Sequence, residues 1–384
     1  MAMARNLEQV INILNLAKFS ESDVKKECHV LQFTPQILDS KQVKILEVTK
    51  DTLQYINSGE NLYIKGGENP TAVICTNSIT FELKEAETSN SLLLMPTLDE
   101  ATTVEEVEGH VLKNQQVYGV YHTYYEMKKV KPRLASLRNI LLRHAYKGKE
   151  VEDGELLGIT FSELKKTIQA SESEIFNRLN ELQAVKIKGT WRLLDVGLLY
   201  SWVTNLDGIL REKNVTIEDV TAQEVINWSS TFELDEVNQK CASIFLEDKG
   251  EFCLWNQAAV SQLFALYLLP VLKAFDSKDF FSTWQQSMPP GVQVSEEHLR
   301  GIALVDNEST PSLVRYLPEF DLPEDINDRL EILFRTRTKW TLSDISPYIQ
   351  PLTEGQLNVN ALLTKYTRSS TIQGVKYYSS KYLA

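Results

Sequence analysis

Cysteine is scarce in this 384-residue chain: Cys28, Cys75, Cys241 and Cys253 lie far apart, with no C-x-x-C pair. That spacing excludes a disulfide framework, and five scattered histidines add no metal-ligand set. Reduced, buried thiols and no metal site are expected. Glycine and proline number only 16 and 12, which excludes collagenous and long low-complexity tracts. Long apolar runs are missing too: the longest, Leu263 to Leu272, is interrupted by Pro270 and is too short to span a bilayer. No secretory leader pattern opens the chain, so a soluble intracellular protein without membrane attachment is expected. Equally absent are the phosphate-cradling, nucleophile and zinc motifs G-x-x-x-x-G-K, G-x-G-x-x-G, G-x-S-x-G and H-E-x-x-H. No catalytic residue and no cofactor is therefore assigned. Paired carboxylates such as Glu105-Glu106 and Glu296-Glu297 read as solvated surface in a chain with 52 acids.

What is present is an ordinary globular composition, 43% apolar and 24% charged. At roughly 150 residues per domain the length fits two or three domains, each with its own core. The net charge of -12 argues against a nucleic-acid binder only if it is spread evenly. It is not. From Lys128 to Lys149 there are eight basic residues and no acid; from Arg335 to Ala384 there are seven against two acids, Asp344 and Glu354. Screening over about 10 Å at ~0.1 M salt makes local charge outrank the total for a phosphate backbone meeting one face.

The texture changes along the chain. Val10, Ile11, Leu14 and Ala17 are spaced as one helical face, which predicts a short terminal helix packed on the body. From His29 to about Tyr125, short alternating runs predict strands: Val43-Ile45-Val48, Leu62-Ile64, Val73-Cys75, Phe81-Leu83, Leu92-Leu94 and Val111 to Tyr124. Turn signals at Gly66-Gly67 with Asn69-Pro70, and at Asn77-Ser78, separate them. Few helices and about six strands suggest a small sheet or partial barrel whose edges need covering, and a partner chain is a natural cover.

After Pro132 the pattern becomes helical, and Thr160 to Gln169 can be laid over Thr341 to Gln350 as an internal repeat. Each segment starts with a Thr N-cap and an acid three residues on, close to a capping box. Phe161/Leu164/Ile168 and Leu342/Ile345/Ile349 form matching apolar faces, although Pro347 predicts a short or distorted second copy. A second amphipathic helix follows each copy (Ile175, Phe176, Leu179, Leu182; Val359, Leu362, Leu363, Tyr366). A hairpin comes next, with turns at Lys188-Gly189 and Gln373-Gly374. Helix, turn, helix and hairpin is the order of a winged helix. A third candidate runs from Asn256 to Leu317: two helices, a Pro289-Pro290-Gly291 turn, a helix capped by Ser295 and two strands. The expected fold is α+β, a β-rich partial barrel followed by three tandem winged helices. Its expected divisions are residues 1–127, 128–195, 196–320 and 321–384.

Two basic features carry functional expectations. Lys128, Lys129, Lys131 and Arg133 form a cluster of the kind read as a nuclear import signal or nucleic-acid patch. In the terminal winged helix, Lys365 and Arg368 lie on the recognition helix and Lys376 and Lys381 on the wing, with Arg335, Arg337 and Lys339 just ahead. Gathered on one exposed surface, these seven are the candidate DNA contacts, to phosphate more than to base edges. The equivalent first helix carries Glu172, Glu174 and Glu181, which repel phosphate, so the first unit is expected to bind protein.

Several runs together resemble a family. They are Glu87 to Pro96, Gln169 to Glu174, Thr283 to Pro289 with Gly301 to Asp306, Lys339-Trp-Thr341, Pro347 to Gln350 and Ala361 to Tyr366. They span nearly the whole chain in order and resemble the sister chromatid cohesion protein Dcc family; the main departures fall in the loop from Lys147 to Gly158. The resemblance implies a non-catalytic subunit of the alternative replication factor C clamp loader. It implies that residues 1–127 join the small Ctf-type subunit and the C-terminal tail of the large Ctf-type ATPase subunit in shared β-barrels. It implies that the winged helices reach single- and double-stranded DNA and the catalytic subunit of DNA polymerase epsilon in the nucleus. The complex would load or unload the sliding clamp (PCNA) at forks in support of cohesion. A freestanding winged-helix transcription regulator, selective for sequence and homodimeric, is the alternative.

Overall fold

A computed structural model describes residues 6–23, 27–38, 41–66, 71–96, 103–107, 110–132, 134–151, 158–272, 274–307, 309–353 and 358–381. The turn residues Gly67 and Asn69-Pro70, the cluster member Arg133 and most of the loop before Gly158 lie outside them. The described residues form a mixed α+β structure of two compact units. One draws on residues 1–64, 68–74 and 81–129, the other on 65–67, 75–80 and 130–384.

The first unit opens with helix α1 (Leu7–Leu16), closed at its start by reciprocal hydrogen bonds between Asn6 and Gln9. The remaining elements are β1 (Glu27–Leu38), β2 (Leu46–Glu47), α2 (Lys50–Asn57), β3 (Tyr63–Lys65), β4 (Val73–Cys75), β5 (Thr80–Leu94), β6 (Thr103–Val107) and β7 (His110–Lys129). The strands make one sheet in the order β1-β7-β5-β4-β3, with β2 and β6 also paired to β7. Twenty-residue β7 is its spine. β1 runs parallel to it from Glu27↔Val111 to Phe33↔Val117, and β5 antiparallel from Leu94↔Gly119 to Phe81↔Lys129. Among the described residues the sheet is open at β1 and β3, with no closed barrel.

The alternating runs underestimated these strands. Phe81-Leu83 and Leu92-Leu94 are two ends of one strand, β5, whose register slips between Glu87 and Leu92. That slip hides the period of two. β1 escaped notice because Pro35 and a second slip, between Phe33 and Leu38, interrupt it. At Gly119 a side chain is excluded: a Cβ would lie 2.7 Å from the Tyr121 ring and 3.1 Å from Leu38 O. The expected packing of α1 is not found. None of its residues is buried, and Leu7, Val10, Ile11, Ile13 and Leu16 are exposed. Helical spacing specifies an apolar face, and no described surface covers it.

The second unit begins with α3 (Ala135–Arg143), α4 (Phe161–Thr167), α5 (Glu172–Glu181) and the hairpin β8 (Val185–Ile187) and β9 (Thr190–Arg192). They close on Leu137, Leu141, Leu164, Ile175, Leu179 and Leu193. Then come α6 (Val196–Lys213), α7 (Ala222–Ser229), α8 (Asp235–Phe245) and the hairpin β10 (Leu246–Asp248) and β11 (Cys253–Trp255). α9 (Gln257–Leu272), β12 (Ala274–Asp276), α10 (Ser277–Ser287), β13 (Ala303–Asp306) and β14 (Leu313–Tyr316) follow, and the sheet order is β12-β14-β13. One continuous core, built on Trp202, Phe245, Phe264, Phe280 and Trp284, serves everything from α6 to β14. The helix expected after Ser295 is a 3-10 turn, Glu296–Leu299.

The chain ends with α11 (Ile326–Thr336), β15 (Trp340–Thr341), α12 (Leu342–Ile349), α13 (Val359–Tyr366), β16 (Arg368–Ile372) and β17 (Val375–Ser379), in sheet order β15-β17-β16. Trp340, Ile345, Tyr348, Ile349, Leu363 and Tyr378 fill its core. Pro347 does not shorten α12, which has eight residues against seven in α4. Arg329 clamps this last core from beneath. Only 3% exposed, its guanidinium donates to the carbonyls of Leu322, Pro323 and Tyr348 and to Glu319.

Candidate functional site

The cationic candidates sit on a scaffold that local chemistry fixes. Asn358 starts α13 by accepting the Ala361 N–H at 2.9 Å, which relieves one of the unpaired donors of the first turn. Val359 and Leu363 turn inward, leaving Asn360, Ala361, Thr364 and Lys365 exposed. The hairpin that follows pairs Arg368↔Ser379, Ser369↔Tyr378, Ser370↔Tyr377, Thr371↔Lys376 and Ile372↔Val375. Its two-residue turn, Gln373-Gly374, has φ of 50° and 81°; positive φ at both positions is the type I′ signature.

Register then decides where each charge points, because paired residues share a face and neighbours do not. Arg368, expected on the recognition helix, instead opens β16, because α13 ends at Tyr366 with Thr367 as its extended cap, and it lies on the face of Ser370, Ile372, Val375, Tyr377 and Ser379. Lys376 lies on the other, with Thr371 and the buried Tyr378, whose ring centre is 5.0 Å from the ammonium. Lys381 donates to the Lys365 carbonyl, which brings the end of the wing to the end of α13. Lys365, Arg368 and Lys376 are exposed. The three residues ahead of the repeat are placed differently. Exposed Arg335 pairs with Glu331 at 2.5 Å, half-buried Arg337 pairs with Asp344 at 3.1 Å, and Lys339 is exposed. The seven cations do not share a single surface: the hairpin alone carries them on both sides.

The upstream basic cluster is divided as well. Lys128 and Lys129 are exposed at the end of β7, whereas the Lys131 ammonium donates to Pro351 O at 2.5 Å and Thr353 O at 3.5 Å. Arg138 packs 4.1 Å over the Phe320 ring and 3.9 Å from Asp321; burial lowers its pKa, opposed by that aspartate. Lys149 reaches Thr231 O at 3.0 Å. Much of this stretch serves internal contacts.

Two features escaped the sequence. On the first repeat, Phe161, Phe176 and Trp191 stack edge to face, with centroids 6.4 and 5.9 Å apart. They come from α4, α5 and β9, and Phe176 is 46% exposed. No local pattern joins three rings from three elements. The second is the attachment of that repeat to residues far upstream. Thr80 Oγ1 accepts from Ser171 N at 3.0 Å and donates to Glu174 at 2.6 Å, and Lys65 donates to the carbonyls of Ile168 and Ala170. Burial lowers the Lys65 pKa.

On the first unit, the end strand β1 presents Val30, Leu31, Phe33 and Ile37 to solvent, with Phe33 57% exposed. Among the described residues, no group of three or more His, Cys, Asp or Glu is placed to hold a metal, and no helix is long and apolar enough to cross a membrane.

Fold and site together define an α+β protein whose conspicuous features are surfaces: an open sheet edge, an exposed aromatic face and a cationic hairpin. The family model described as sister chromatid cohesion protein Dcc1 matches residues 43–349. Proteins named sister chromatid cohesion protein DCC1 from Xenopus laevis and Homo sapiens are each 31% identical, over 388 and 389 residues, covering 99% of both chains in each case. The Saccharomyces cerevisiae protein of that name is 21% identical over 365 residues, 88% of this chain and 92% of its own. The chain belongs to the sister chromatid cohesion protein Dcc1 family.

Proposed function

We propose that the protein is a nuclear, non-catalytic adaptor of an alternative replication factor C clamp loader, acting in sister chromatid cohesion at replication forks. Its N-terminal sheet docks the small Ctf-type subunit and the C-terminal tail of the large Ctf-type ATPase subunit. Its helical repeats are winged helices. The first meets the catalytic subunit of DNA polymerase epsilon, and the last contacts single- and double-stranded DNA while the sliding clamp is loaded or removed. The observation that carries the reading is the open sheet. An apolar end strand in water is an aggregation hazard unless another chain pairs with it, and β1 exposes four large apolar side chains. The aromatic face supports the protein-binding role of the first repeat, since large rings dominate contact energies. The family's name supports the cohesion role.

The division proposed for the chain is 1–127 for docking, 128–195, 196–320 and 321–384 for the winged helices, with Lys128, Lys129, Lys131 and Arg133 as a nuclear import signal or nucleic-acid patch. The element order α6, α7, α8, β10, β11 adds a fourth helix-and-hairpin group inside 196–320. The test is coexpression with the two Ctf-type subunits. Leu31→Lys with Phe33→Lys abolishes their co-purification and leaves DNA binding unchanged; retained subunits would refute the docking role.

A further inference from the structure

The terminal hairpin has an unusual tip. Ile372 and Val375 are register partners on either side of a two-residue turn, so their branched side chains stand together on one face, 40% and 45% exposed. All nine residues from Arg368 to Lys376 are exposed, so the hairpin projects from its module. A type I′ turn matches the natural twist of the strands and stiffens the projection. Between residues 355 and 384 there is no acid, while Lys365, Arg368, Lys376 and Lys381 supply four cations.

A module that lies along one groove needs its cations on the side facing the groove. Here Arg368 lies on one face of the hairpin and Lys376 on the opposite face, and the apolar pair at the tip shares the face of Arg368 and stands farther out along it. That distribution fits two phosphate backbones that pass on either side. Apolar side chains inserted between bases unstack them, and cations on the flanks hold the separated strands. At ~3.3 Å per residue Arg368 stands roughly 13 Å behind Ile372, about four phosphates along one strand, so Arg368 acts on a different nucleotide from the tip, whereas Lys376 stands next to it.

We infer that the β16–β17 hairpin is a wedge that enters between the strands at an end or fork of duplex DNA, with Ile372 and Val375 against the terminal base pair and Arg368 and Lys376 on the two diverging backbones. The inference rests on the DNA-binding reading of this module and adds the structure of DNA that it selects.

The experiment uses the full chain and a duplex carrying 2-aminopurine in its last base pair, beside a forked duplex and a duplex closed at both ends by loops. The wild-type protein raises the 2-aminopurine fluorescence and prefers fork to closed duplex. Ile372→Thr with Val375→Thr keeps branched strand residues and every cation. It abolishes the fluorescence rise and lowers the fork preference by about tenfold, the scale of burying two half-exposed apolar side chains, with the salt dependence of binding unchanged. Binding of the wild type to all three DNAs alike, with no rise in fluorescence, overturns the wedge and leaves the DNA-binding reading intact. No binding to any of them overturns both. Tighter binding to phosphatidylserine vesicles than to the fork would assign the tip to a lipid surface and also overturn the wedge.

Discussion

The first and last repeats share a plan and differ in what they leave exposed. Both begin with a threonine cap, run through two short helices and end in a hairpin with a two-residue turn. In the first, Glu163 completes the capping box by accepting the Thr160 N–H at 2.8 Å. In the last, Asp344 is drawn away to Arg337. The first shows half-buried Glu172, exposed Glu181 and an aromatic face around α5; the last exposes Asn360, Ala361, Thr364 and Lys365 on α13, with no acid among them. Caps and apolar spacing thus set the scaffold, and the residues between them set the partner. The anchors also differ. The first is tied to Lys65 and Thr80, the last to Arg329.

The largest effect expected is at Arg329. Arg329→Ala leaves three carbonyls and Glu319 without their buried donor and should destabilise the last repeat by about 3–5 kcal/mol. Hydrogen exchange should accelerate in α12 and α13 and not in α4 and α5; equal acceleration in both would show that the anchors are not separate. Next is charge. Replacing Lys365, Arg368, Lys376 and Lys381 together with Glu should remove up to four phosphate contacts, and each contributes about 0.9 to the slope of log K against log salt. Glu172→Gln with Glu181→Gln, the matching change in the first repeat, should leave that slope unchanged. Thr80→Val strips Ser171 N and Glu174 of a shared partner and should lower the melting stability by about 1–3 kcal/mol.

The smallest difference lies at the caps. Thr160→Ala should cost about 1 kcal/mol and Thr341→Ala about half that, because only the first cap is reciprocal. Hydrogen bonds from the Thr160 backbone and hydroxyl hold the Glu163 carboxyl below the ordinary carboxylate range. A depressed folded pKa means that this contribution is present above the unfolded value and lost as pH falls through the folded one. An NMR titration of Glu163 should therefore lose part of its downward shift in Thr160→Ala, which removes the hydroxyl and keeps the backbone N–H.

Legibility followed locality. The repeat, its caps and both hairpin turns could be read because each depends on residues within four positions. The period of two in β5 and β1 was obscured where the register slips, and the group α6 to β11 was missed because it shares one core with α9 to β14. Charge could be counted and not aimed. That Arg368 and Lys376 face opposite ways follows from cross-strand pairing, and that Lys131 is bound to Pro351 follows from a contact across 220 positions. Arg329 carries no local signal at all; its burial depends on Leu322, Pro323 and Tyr348 converging around it.

Lys65 and Thr80 have a further implication for how the molecule is made. They leave the ribosome before the segment they hold: Thr80 precedes Glu174 by 94 positions, and Lys65 precedes Ile168 by 103. At about 5–20 residues per second these groups wait on the order of 5–20 s for their counterparts to be translated. During that interval the Thr80 hydroxyl, fully buried in the folded protein, and the Lys65 ammonium have only water for partners at these positions.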